Sequence, residues 1–284
     1  MKPAELTGEE QTAILAERYS QRAEAYDRFW SPVIRPAGER LISQLPIQAA
    51  SSIIDVGAGA GALLPAIRRA APSATILGVD RSDGMLRLAR EKHPGWLALM
   101  DVQKLALAAN RFDVAVVAFV LFHLPAPDRC LREVNRVLKP GGTVGTVTWG
   151  AERTPAAGTV WDEELEAAGA HFIELPATDN RECCDDGAKV TDLLEQSGFG
   201  ATRVWSEAIE HRWQPDDYFE YQMRSTSRLR LLSLDEDDRE TCLGRIRKRL
   251  SATDDEQYTY SGEVIMAIAR KAGAGERALG VNEG

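Results

Sequence analysis

The stretch from Ile53 to Ala70, IIDVGAGAGALLPAIRRA, constrains this chain more than any other. An apolar run ends in an acid, three glycines follow at alternating positions, and an amphipathic helical pattern comes next. Glycines between a strand and a helix let a ligand approach the backbone where a Cβ would otherwise stand. Gly57, Gly59 and Gly61 fit GxGxG, and with Ala62 they equally fit the GxGxxA turn of dinucleotide-binding proteins. A P-loop is not expected, because no Gly-Lys-Ser/Thr follows. The residues of the loop alone leave two ligand classes open, a dinucleotide and a ligand without phosphate.

Around this loop the chain alternates. Residues 51–57, 74–80, 96–101 and 112–120 read as strands, and 61–70 and 83–93 as helices. A helix over 127–138 is stopped by Lys139-Pro140-Gly141-Gly142, and 142–149 forms a further strand. The run FDVAVVAFV has the near-continuous apolar character of a buried parallel strand. Such alternation predicts an α/β, doubly wound sheet with ligands at the C-terminal strand ends. After Gly150 the rhythm weakens into a connecting segment with one helix. A helix over 190–199, a strand over 201–213, a charged helical block at 215–250 and a last strand over 258–271 follow.

Ahead of the sheet, residues 7–30 read as one helix, opened by a Thr7–Glu10 capping box, with Tyr19, Ala23, Tyr26 and Trp30 on one face. A second helix runs from near Pro36 to Pro46. In the late block, Ser233 and Glu236 fit another capping box, and the acids-first, arginines-last order of 233–250 suits a solvated cap helix.

Composition narrows the partners. The net charge of -9 disfavours a general nucleic-acid binder. The four cysteines form no CxxC pair and no zinc spacing, so no metal is expected, and the chain reads as a reducing, cytoplasmic protein. No stretch approaches the ~18 apolar residues of a membrane helix. The end of the chain, 273–284, reads as a disordered tail.

Three features separate the ligand classes. Asp55 stands two residues before the first glycine, where a carboxylate suits an ammonium and not a pyrophosphate. Asp80 ends the second strand, and Asp101 ends the third, 21 residues on. FDVAVVAFVLFHL then leads into LREVNRVLKPGG. Together IIDVGAGAG, LGVDRSDGML, LMDVQKL, FDVAVVAFVLFHL and LREVNRVLKPGG resemble the class I S-adenosylmethionine-dependent methyltransferases, in the small-molecule group akin to ubiquinone/menaquinone methyltransferases. The resemblance covers about residues 51–150.

The resemblance implies a Rossmann-like, seven-stranded, mostly parallel sheet with helices on both faces, an N-terminal helical lid and a helical insertion before the last strand. The expected division is a lid over 1–50, a cofactor-binding core over 51–150, and the remaining sheet with a substrate cap over 151–272, the cap itself near 215–250. It implies that Gly57, Ala58, Gly59 and Gly61 form the loop under the methionyl part and that Asp55 holds its ammonium group. Asp80, with Arg81 beside it, would serve the ribose, and Asp101 and Val102 the adenine, with Met85 packed against it. Ala118 and Phe119 would line the floor near the sulfonium, and Tyr19 and Tyr26 would face it from the lid.

His123 follows the fourth strand and is suited to accept a proton near neutral pH. The implied reaction is in-line methyl transfer to oxygen, carbon or nitrogen of a small, apolar acceptor. Secondary metabolism is the setting by analogy alone. Two alternatives stay open: an NAD(P)-dependent oxidoreductase, and a member that binds the cofactor without transferring methyl. Oligomeric state is not fixed, with a homodimer as one option.

Overall fold

Parallel strands buried on both faces form the centre of the molecule, because their apolar runs leave no face for water. The computed structural model describes residues 6–273, apart from 94, 154, 172–179 and 226. The tail expected over 273–284 lies almost wholly outside the described residues. One seven-stranded sheet contains β1 (Ser52–Val56), β2 (Thr75–Asp80), β3 (Trp96–Leu99), β4 (Phe112–Ala118), β5 (Leu138–Arg153), β6 (Phe199–Arg212) and β7 (Thr259–Lys271). Their order is β3-β2-β1-β4-β5-β7-β6. All pairs from β3 to β5 are parallel, and β7 enters antiparallel between β5 and β6.

The order reverses between β1 and β4, the crevice where open α/β sheets bind ligands. In β1, register pairs Asp55 with Gly78 of β2 and Val116 of β4, placing the acid at the C-terminal edge of that crevice. Ile53, Ile54, Val56, Ala115, Val116 and Val117 have no exposed surface, which anchors the strand ends.

The parallel half is covered by α4 (Leu64–Ala70), α5 (Asp83–Lys92) and α6 (Pro127–Val137), which follow α1 (Gly8–Gln21), α2 (Ala23–Ala25) and α3 (Ser31–Gln44) of the N-terminal segment. The later helices are α7 (Ala156–Ala167), α8 (Gly187–Gln196), α9 (Pro215–Arg224), α10 (Arg228–Leu231) and α11 (Glu236–Leu250). The last three form the helical block between β6 and β7.

Several local expectations change. The segment read as one helix over 7–30 breaks at Arg22, whose φ of -119° leaves the helical region, and a π turn over Tyr26–Trp30 then rotates the chain. The Thr7–Glu10 capping box forms in both directions. The Ser233–Glu236 box does not form: Asp235 caps α11 by accepting from Asp238 N–H, while the Ser233 hydroxyl donates to Arg230 O. Lys139–Gly142 ends α6 as read but belongs to β5. Leu138 already pairs with Phe112, and the register slips before Thr143 pairs with Val114, so the Pro-Gly-Gly segment is a bulge.

Candidate functional site

Strand β1 ends one residue before a sharp turn that its glycines make possible. Gly57 and Ala58 donate their N–H groups to Val79 O at 2.8 and 3.0 Å, tying the turn to β2. Gly57 has φ +76°, and a Cβ there would lie 2.3 Å from Val120 Cγ2. Only glycine satisfies both constraints. Gly59, at φ +55°, would project a Cβ into open space, so its backbone faces the cavity unobstructed. Gly61, at φ +81°, closes the turn by donating to Ala58 O. It packs toward His93 and Ala89 and does not line the cavity.

The acids gather at one end because parallel strands all finish at the same edge. Asp55 is 2% exposed, and its Oδ2 has no hydrogen-bond partner among the described residues. Burial, with a smaller contribution from the Asp80 charge, pushes its carboxyl up to about 7. Asp80 accepts from Gly59 N–H through Oδ2 and from Ser82 N–H through Oδ1, both at 2.8 Å. Burial raises it as well, and these backbone donors act against that rise. The cap of α5 is Ser82, which accepts from Met85 N–H, so Asp80 is not needed for that task. Asp101 accepts from Gln103 N–H and takes a 2.8 Å ion pair from Arg81.

Sequence reasoning named fifteen candidate residues. Fourteen of them, from Tyr19 and Tyr26 of the lid to Asp55, Gly57, Ala58, Gly59, Asp80, Arg81, Met85, Asp101, Val102, Ala118, Phe119 and His123, line one cavity at the switch point. Lid residues that the sequence did not single out also line it, among them Thr12, Ser31 and Arg35, together with Val120 after β4. For Thr12 and Ser31 the only signal available was the buried face of a helix, and Arg35, which is exposed, carried none.

The N-terminal helices are docked on the core. Ser20 and Ser82 hydroxyls lie 2.8 Å apart, and a Cβ on Gly84 would meet Ser20 O at 2.4 Å, so α1 and α5 touch backbone to backbone. Met85 packs there with Ala23 and Ala60 against Tyr19 and Tyr26. Tyr19 reaches over the cavity to His123, with its Oη 2.9 Å from Nε2. His123 ends a 3₁₀ turn (Leu121–His123) after β4. Burial, then the Arg181 charge, brings its imidazole down to about 4, so it is neutral at pH 7. Burial likewise drives the Tyr19 and Tyr26 phenols up, which keeps both protonated. Phe119 adopts φ +59° just past β4, a conformation rare for a bulky residue, and its N–H is held by Val147 O at 2.8 Å.

Past these rings lies a second cavity. Leu15, Tyr19, Tyr26, Phe119 and His123 border both. Its far walls are Trp30, Trp149, Phe122 and Tyr221, with four arginines around them. Trp149 stands 4.8 Å from Phe119, and Trp30 stacks on Tyr221 at 5.7 Å, centroid to centroid.

This donor set suits a ligand with a cationic amino group, hydroxyls and little anionic charge. Asp55 presents a buried Oδ2 with nothing to accept from among the described residues, next to the half-buried Asp80; a pyrophosphate placed there would meet both acids at close range. The antiparallel β7 beside β5, with the switch-point cavity, gives a Rossmann-like methyltransferase fold.

Comparison with known proteins agrees. Residues 54–145 match the family described as a methyltransferase domain. A ubiquinone/menaquinone biosynthesis C-methyltransferase UbiE of Syntrophotalea carbinolica is 29% identical over 177 residues, covering 57% of this chain and 74% of that one. A protein of the same name from Burkholderia mallei is 36% identical over 109 residues, 36% of this chain and 45% of its own length. The chain therefore spans less than half of that second relative. In fold it is similar to the phosphoethanolamine N-methyltransferase 2 of Haemonchus contortus in complex with S-adenosyl-L-methionine, with a TM-score of 0.52, 16% identity, and coverage of 89% of this chain and 57% of that one. The matched domain and these relatives support reading the chain as a class I S-adenosylmethionine-dependent methyltransferase, and the solved structure supports the fold.

Among the described residues no group of three or more His, Cys, Asp or Glu is placed to hold a metal ion, and no helix is long and apolar enough to cross a membrane. All four cysteines are free.

Proposed function

We propose that the enzyme methylates a small acceptor with an apolar body, seated in the second cavity and facing the cofactor cavity across Tyr19, Phe119 and His123. The observation that carries this reading is the buried Asp55 carboxylate without a partner beside the glycine turn, in a cavity that adjoins an aromatic chamber.

Asp55 would hold the ammonium of the methionyl part, and the backbone around Gly57–Gly59 would give it close approach. Asp80 keeps acceptor capacity beyond its two backbone bonds, because an ionised carboxylate has about four lone-pair sites, and would take the ribose hydroxyls. Asp101 and Val102 would flank the adenine, with Met85 beneath it and Arg81 holding the Asp101 carboxylate in place. Phe119, fixed by its strained backbone and the Val147 bond, would shape the opening between the cavities.

Held there, S-adenosylmethionine would supply an electrophilic methyl group to a lone pair of the acceptor atom, with a neutral thioether as the leaving group. The protein's work is then mainly to position the acceptor and exclude water. Where the acceptor atom begins protonated, Tyr19 would take that proton while passing its own to His123 Nε2. A neutral imidazole can accept it, and the phenol never becomes a buried anion.

The test is release of S-adenosylhomocysteine from S-adenosylmethionine over a panel of phenols, amines and acidic carbon acids. Acceptor-dependent release by the wild-type enzyme supports the reading. Tight cofactor binding with no release over a broad panel favours a member that binds without transferring methyl.

A further inference from the structure

Resting on the methyltransferase reading, we propose that the second cavity takes a planar aromatic acceptor bearing a carboxylate, with Arg22 as the residue that receives the anion. An aromatic chamber alone would suit an uncharged ring. This one is different in its charge. Among the described residues, every charged side chain lining it is an arginine, Arg18, Arg22, Arg181 and Arg224, and no aspartate or glutamate lines it. That arrangement stands out in a protein whose net charge is -9.

Two of these cations have carboxylates elsewhere. Arg181 donates to Glu152 Oε1 at 2.6 Å, and Arg224 donates to Glu220 Oε2 at 3.3 Å. Arg22 differs. It stands at the break between α1 and α2, pairs with no carboxylate among the described residues, and its buried Nε has no hydrogen-bond partner. The groups that act on it are Tyr19 and Tyr221, both neutral phenols, and Arg18 and Arg228, both repulsive. A half-buried guanidinium among other cations is electrostatically incomplete, and burial already disfavours its charge. A ligand carboxylate would supply the missing counter-charge. The planar guanidinium fork matches a carboxylate in two parallel bonds.

The ring half of the proposal comes from the walls. Trp30, Trp149 and Tyr221 present aromatic surface on the side away from the cofactor cavity. Phe122 packs on His123 at 4.2 Å between centroids, so a ring entering the chamber meets π surface next to the proton-accepting group. The break at Arg22 gives the irregular lid a purpose: a continuous helix would carry residue 22 in another direction. An acid with a hydroxylated ring would place its anion at the lid and its hydroxyl toward Tyr19 and His123.

Calorimetry on the full chain, with and without S-adenosylhomocysteine, tests this. The probes are hydroxybenzoates and hydroxycinnamates, each beside its uncharged methyl ester. The proposal expects each acid that binds to do so at least tenfold more tightly than its ester, and Arg22→Met to remove that difference while leaving ester affinity within twofold. Equal affinity of acid and ester, or equal losses for both in Arg22→Met, would overturn it, as would the absence of binding by any of the acids. Arg22→Lys, which keeps the charge without the fork, should restore part of the preference and controls for damage to the lid. The cofactor assignment stands or falls separately on S-adenosylhomocysteine binding, and methyl transfer on acceptor-dependent release. Failure of the acids to bind a protein that takes S-adenosylhomocysteine refutes only the acceptor assignment.

Discussion

Tyr19 Oη lies 2.9 Å from His123 Nε2, a bond between residues 104 positions apart that joins the lid to the end of β4. Both residues line both cavities, so the bond stands where the two cavities meet.

If His123 receives the acceptor proton, His123→Ala should lower kcat by about 100-fold or more on a protonated acceptor, the usual range for loss of a general base. Affinity for S-adenosylmethionine should stay within threefold. Tyr19→Phe should lower kcat less, since water can replace the relay. Steady-state kinetics beside calorimetry separates the two quantities, and equal falls in both would reduce His123 to packing.

His123 also makes stability pH-dependent. Its folded value of about 4 lies below the unfolded value of about 6.5. The unfolded chain therefore binds the proton first as pH falls. The His123 contribution should be flat above pH 7 and decline between about pH 6.5 and 4, by up to about 3 kcal/mol. Urea melts of His123→Gln across that window should show a shallower decline than wild type.

Asp55 acts with the opposite sign. Its folded value, raised to about 7, lies above the unfolded value of about 3.9. The folded state holds the extra proton between them, so the Asp55 contribution to the stability of the ligand-free protein should fall as pH rises from 4 to 7, offsetting the His123 contribution. Asp55→Asn should raise Tm at pH 8 and change it little at pH 4. The same substitution should weaken S-adenosylmethionine by more than tenfold at pH 8, and wild-type affinity should tighten from pH 6 to 8 as the carboxylate forms. A pH-independent affinity would place the ammonium elsewhere.

Asp80→Ala should weaken S-adenosylmethionine more than tenfold, because hydrogen bonds to a charged acceptor contribute about 1.5–3 kcal/mol. The fold should persist, since the α5 cap belongs to Ser82. Calorimetry with a circular dichroism control decides this. Unchanged affinity would remove Asp80 from the site.

Gly57→Ala meets both a left-handed backbone and Val120 at 2.3 Å. It should destabilise by about 2–4 kcal/mol and abolish detectable cofactor binding. Adding Val120→Ala removes the steric part and should recover some of the lost stability, leaving the φ penalty. No recovery in thermal melts of the double variant would mean that the turn is governed by conformation alone.

The parts of the site legible in the sequence are those set by parallel strands. Apolar runs identify the strands, parallel strands end at one edge, and so Asp55, Asp80, Asp101 and Ala118 could be placed together before any contact was known. The lid was half legible. The Thr7–Glu10 box marked its start, but no Gly or Pro marks the break at Arg22, and helical periodicity reads straight through the π turn after it. The second cavity was not legible, because Arg22, Trp149, Arg181 and Tyr221 come from four separate elements that share no spacing. The late helix began at Asp235 and not Ser233 because tertiary contacts claim the serine: its hydroxyl binds Arg230 O and receives His171 N–H.

The most direct test of the central claim is titration calorimetry of the full chain with S-adenosylmethionine, S-adenosylhomocysteine, NADH and NADPH at pH 8, repeated with Asp55→Asn. The account predicts saturable binding of the two adenosyl sulfur ligands, no binding of the nicotinamide ligands, and a more than tenfold loss in the variant. Saturable binding of NADH or NADPH with none of S-adenosylmethionine would contradict it.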